Sequence, residues 1–120
     1  MLKLSHAIVF VSDMQRSIAF YRDVLGLPMR MESPFWTEFE MGQTSIALHL
    51  ASPEKVPVQP HSTAGACQLG LRSEDLDAYH ARLVAAGVKV VSPPTKQDFG
   101  ASLASYLDPD GLVFTVSGPH

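Results

Sequence analysis

Residues 62 positions apart correspond along this chain: His6 with Gln68, Asp13 with Asp75, and Met14 with Leu76. A period that long exceeds the repeats of solenoid arrays, so it describes two copies of a half-domain unit. Two such copies within 120 residues make one domain spanning 1–120, and 46% hydrophobic content supplies a core. Neither copy can easily bury both faces of a sheet alone. The halves are therefore expected to pair, within one chain or across a homodimer.

The first copy, about residues 1–51, opens with an apolar, β-branched run from Leu4 to Val11. It ends at Ser12-Asp13-Met14-Gln15, which has the form of a capping box, so a strand leads into a helix. Met14, Ile18, Tyr21 and Leu25 recur at helical spacing on one face, Gly26 offers a stop and Pro28 opposes continuation. Extended stretches follow at Met29 to Glu32, Trp36 to Met41 and Ser45 to Leu50, broken by Ser33-Pro34 and Gly42-Gln43. The order is βαβββ.

Residues 52–65 read as a linker, with prolines among polar residues and no apolar period. The second copy, about residues 66–117, restarts with a strand at Cys67 to Leu71 and a cap at Ser73. Leu76, Tyr79, Leu83 and Val84 line a helix that ends at Gly87. Strands near Val88 to Val91, Ser102 to Leu107 and Leu112 to Val116 complete a second βαβββ. The fold class is therefore α+β, built from two βαβββ modules.

Nine basic and twelve acidic residues are interspersed, for a formal charge of -3, and leave no basic stripe for nucleic acid or an anionic membrane. Cys67 is the sole cysteine, and Met1-Leu2-Lys3 does not begin a long apolar stretch. A reducing, cytoplasmic setting without a membrane span is the expectation. Gly65 and Gly70 are isolated, so no glycine loop implies a nucleotide cofactor.

Three stretches resemble the vicinal-oxygen-chelate superfamily of glyoxalases, bleomycin-resistance proteins and dioxygenases. They are His6-Ala7-Ile8-Val9-Phe10-Val11-Ser12-Asp13, the run from Ser17 to Leu27 with Phe20-Tyr21 and Val24-Leu25-Gly26-Leu27, and Asp108-Pro109-Asp110-Gly111. The last also suits a tight turn on its own account. The resemblance implies curled mixed sheets with helices on their outer face. It further implies one metal ligand on each of four strands, at positions occupied here by His6, His49, Gln68 and Thr115.

Two imidazoles and an amide oxygen could hold a divalent zinc, nickel, manganese or iron ion. Thr115 stands where metal-binding relatives carry an acidic residue, so a carboxylate would come from Glu38 or Glu40 instead, or a bound substrate would complete the coordination. Strand alternation turns His49, Gln68 and Thr115 away from their apolar neighbours, allowing polar groups to converge. Trp36, Arg30, Phe99 and Tyr106, with Thr115, are candidates to line a substrate cavity. His61, His80 and His120 receive no site role, and Cys67 reads as an inert buried thiol with no nucleophile evident.

Two functions compete, ahead of a third reading as a structural or regulatory module with no ligand. One is a metal-dependent lyase, isomerase or dioxygenase acting on a small molecule, in which the ion polarises a substrate oxygen. Glyoxalase I itself is disfavoured, because Thr115 cannot serve as both ligand and base. The other is a metal-free small-molecule binding protein of the bleomycin-resistance type, with the same residues forming an apolar pocket with a few polar contacts.

Overall fold

The computed structural model describes residues 3–51, 67–98 and 100–119. The chain divides into two compact units, Met1–Val58 and Gln59–His120. The expected linker at 52–65 lies outside the described residues, as do His61, Phe99 and His120.

In the first unit, β1 (His6–Val11) leads into a helix, α1 (Met14–Ile18), whose last turns widen to a π-helix over Ala19–Val24. Strands β2 (Met29–Met31), β3 (Trp36–Met41) and β4 (Thr44–Leu50) follow. The sheet order is β1-β4-β3-β2, with β1 parallel to β4 and the remaining pairs antiparallel. A parallel pair at one edge requires a long return path, which the helix and two hairpin strands provide.

The second unit repeats this plan with β5 (Leu69–Arg72), α2 (Leu76–Ala85), β6 (Val90–Lys96), β7 (Ala101–Leu107) and β8 (Val113–Pro119). Its sheet order is β5-β8-β7-β6, again with the outer parallel pair β5–β8. Two four-stranded mixed sheets thus realise the two βαβββ modules, and neither closes into a barrel. Among the described residues no helix is long and apolar enough to cross a membrane.

The repeat is most exact at the helix starts. Asp13 accepts a hydrogen bond from the Arg16 N–H at 3.1 Å, and Asp75 accepts one from the Ala78 N–H at 3.0 Å. The caps are thus these aspartates rather than Ser12 and Ser73. Each serine instead serves nearby: Ser12 accepts from the Arg16 guanidinium, and Ser73 accepts from the Asp75 N–H. An aspartate one or two residues further on is better placed to meet the orphan amides of the first turn.

Met14, Ile18, Tyr21 and Leu25 are all buried, as their spacing predicts. They meet Val9, Val11, Phe39, Ile46 and Leu48 from one face of the first sheet, with the Tyr21 and Phe39 rings 6.2 Å apart. In the second unit Leu76 and Leu83 are buried together with Ala104, Tyr106, Phe114 and Val116. Val84, expected on the packed stripe, is 51% exposed. A ten-residue helix laid on one sheet buries only its central stripe.

Two strand boundaries differ from expectation for identifiable reasons. Strand β6 runs through Pro93 and Pro94 because it is an edge strand, bonded only to β7, and its register shifts around the prolines absorb their missing donors. Strand β5 begins at Leu69, where pairing with Phe114 begins. Cys67 and Gln68 therefore precede the strand and are exposed, which overturns the buried-thiol reading of Cys67.

Candidate functional site

Alternation in the first sheet sends one set of residues toward α1 and leaves the opposite face open. On β1 that open face carries His6, Ile8 and Phe10. On β4 it carries Ser45, Ala47 and His49, and on β3 it carries Trp36, Glu38 and Glu40. Register arranges them in rows: Phe10, His49 and Trp36; then Ile8, Ala47 and Glu38; then His6, Ser45 and Glu40.

The first row is aromatic throughout. Phe10 and His49 ring centroids lie 5.3 Å apart, and His49 and Trp36 lie 5.7 Å apart. His6 also meets the indole edge-on at 5.7 Å, although its backbone lies two rows away. Small Ser45 and Ala47, the β4 residues of the other two rows, are 5% and 0% exposed.

Polar contacts fix the indole. Its Nε1–H donates to Glu38 Oε1 at 2.8 Å, and the Ser33 hydroxyl donates to the Trp36 carbonyl oxygen while accepting from the Trp36 amide. Arg30 Nε stands 4.0 Å from the other Glu38 oxygen, with the guanidinium side 63% exposed and the carboxylate side 20%. Around this group Ile8 and Phe10 remain exposed, so the face is apolar, aromatic and open within its own unit.

This register bears directly on the two-histidine metal site. His6 pairs with Ser45 while His49 pairs with Phe10. Four residues of parallel strand separate the two histidines, about 13 Å of backbone, with the indole of Trp36 contacting both rings. Glu38, a candidate replacement ligand, is occupied by that indole. Among the described residues no group of three His, Cys, Asp or Glu side chains comes together for a metal. Within the first unit the two imidazoles thus stand apart along the sheet, each against the indole.

The candidates from the second copy are dispersed. Gln68 is exposed ahead of β5 rather than seated on a strand. Thr115 does face away from Phe114 and Val116, flanked by Gly70 and Ser105, and its hydroxyl donates to the Leu69 carbonyl oxygen at 3.4 Å. Tyr106 does not line the open face. It is fully buried on the helix side, its ring tilted against Phe114 at 5.6 Å, with its hydroxyl 2.8 Å from His80 Nδ1. Burial, with a smaller contribution from Tyr79, pushes the Tyr106 hydroxyl up to about 12. Its alternation with Ala104 carries that placement, and His80 has a structural partner that sequence spacing did not suggest.

A family model matches residues 3–116, nearly the whole chain, including both copies of the module. The chain belongs to the Glyoxalase/Bleomycin resistance protein/Dioxygenase superfamily. It resembles the uncharacterized protein YraH of Bacillus subtilis, with 32% identity, across 96% of this chain and 97% of YraH. Among solved structures it is similar to TnmS3, an antibiotic binding protein from Streptomyces sp. CB03234, at 28% identity and a TM-score of 0.80, covering 100% of this chain and 98% of that one. A lactoylglutathione lyase from Agrobacterium tumefaciens shares the fold at 21% identity and a TM-score of 0.74, covering 97% and 92%.

Phe10 is the site residue that sequence reasoning missed. It occurs in the opening motif, two positions after Ile8 on the His6 face, and a large apolar side chain at the end of an otherwise open face was the available signal.

Proposed function

We propose that this chain is a metal-independent binding protein for a small planar aromatic molecule, received on the open face of the first sheet. The carrying observation is the aromatic row Phe10, His49 and Trp36, with its indole anchored by Glu38 and its apolar rim of Ile8 and Phe10 left exposed. Anchoring matters because an indole already fixed in place loses little freedom when a ligand stacks on it. Apolar surroundings with a few placed polar atoms are the usual composition of a small-molecule site. Similarity to an antibiotic binding protein at 28% identity supports the same reading.

The test uses the chain's single tryptophan as its reporter. A panel of planar polycyclic antibiotics is titrated in the presence of a chelator while Trp36 fluorescence is followed. Saturable quenching is expected, weakened about three- to tenfold in Phe10→Ala through loss of one aromatic contact. Quenching by no member of the panel, or only after a divalent metal is added, would overturn the proposal.

A further inference from the structure

The polar atoms of the aromatic row decide what a ligand there must carry. His49 Nδ1 lies 2.8 Å from the Leu50 carbonyl oxygen. A carbonyl can only accept, so Nδ1 bears the proton, and in the neutral form of the ring Nε2 is then an acceptor. No described residue bonds to Nε2. Among the described residues the buried side-chain atoms left without partners are Ser17 Oγ and Thr44 Oγ1, so that atom is not one of them.

Its neighbours supply no donor to match it. The Trp36 N–H is already given to Glu38, and Phe10 has none, so the indole and phenyl offer only π surface. Glu38 adds another acceptor, and Arg30, 4.0 Å from its carboxylate, offsets the negative charge at this end of the face. A cationic ligand would find little excess charge to recognise. A neutral aromatic ligand with an acidic hydroxyl would find both a stacking surface and a basic nitrogen.

Building on the binding reading above, we infer that His49 Nε2 accepts a hydrogen bond from a phenolic hydroxyl of the bound aromatic molecule. His49 is then a specificity-determining residue, and its bond to the Leu50 carbonyl is what sets its polarity. The ligand class narrows from planar aromatics to planar phenols.

Two probes differ only in this donor: 7-hydroxycoumarin and 7-methoxycoumarin. Both are titrated at pH 7 against Trp36 fluorescence, with wild type, His49→Phe and His49→Gln. The hydroxyl compound is expected to bind wild type about tenfold tighter, the value of one neutral hydrogen bond at the upper end of its range. The preference should vanish in His49→Phe, which keeps an aromatic ring without an acceptor, and survive in part in His49→Gln, whose amide oxygen still accepts. Equal binding of both probes to wild type, or a preference that persists in His49→Phe, overturns the role of His49 and leaves the aromatic platform standing. Quenching by neither probe overturns the platform and this inference together.

Discussion

Gly118→Ala provides a direct test of how closely α2 approaches β8. A Cβ at position 118 would stand 2.7 Å from Leu76 Cβ and 3.2 Å from the Ser73 carbonyl oxygen. Neither atom is the end of a flexible side chain, so relief requires moving the start of α2 from the strand. Overpacking of this kind costs about 1–3 kcal/mol. Gly118 has no positive φ, so alanine also stiffens the unfolded chain and returns about 0.4–1 kcal/mol. The clash wins, leaving a net loss of roughly 1–2 kcal/mol.

Gly70→Ala is the matched control. It lies in the same sheet, also without a positive φ, and its Cβ would meet only Thr115 Oγ1 at an ordinary 3.6 Å. Only the unfolded-state term should remain, a gain of about 0.4–1 kcal/mol. Urea unfolding followed by circular dichroism reads both. With a slope of about 1–3 kcal/mol per molar, Gly118→Ala should lower the midpoint by roughly 1 M without changing the slope, and Gly70→Ala should raise it slightly. A Gly118→Ala midpoint at or above that of wild type would refute the reasoning, because the helix would then have room that the geometry denies it.

Two further outcomes follow from the same structure. Tyr106 ionises at about 12 when folded, against an ordinary 10.0, because burial disfavours its charged form. Its contribution is fully present below pH 10 and is lost between roughly pH 10 and 12, where the unfolded chain releases the proton first. Alkaline unfolding should therefore flatten across that window in Tyr106→Phe, a comparison made by chemical denaturation at several pH values. Asp13→Ala and Asp75→Ala should each cost about 1 kcal/mol by removing an N-cap. Because the two caps lie in different units, thermal melts of the double variant should show the losses adding.

The sequence alone determined the architecture and most of the core. A repeat of 62 residues, helical spacing at Met14, Ile18, Tyr21 and Leu25, and turn residues between short apolar runs are local signals, and backbone sterics and periodicity translate them directly into elements. Strand alternation likewise turned His49 away from the packed face of the first sheet, and Thr115 to the face of the second opposite Phe114. What alternation cannot supply is register, because a side chain's face repeats every two residues while its neighbour depends on how far one strand has slid along another.

Only the tertiary structure decided that His49 stands beside Phe10 and Trp36 in register while His6 pairs with Ser45, so that the histidine shares an aromatic row. It also decided that Tyr106 belongs to the core with His80, a contact between residues 26 positions apart that no local pattern encodes. Glu38 shows the same division. Sequence offered it only as a substitute ligand on the third strand, and its role as the anchor of an indole two residues away is visible only in the folded strand.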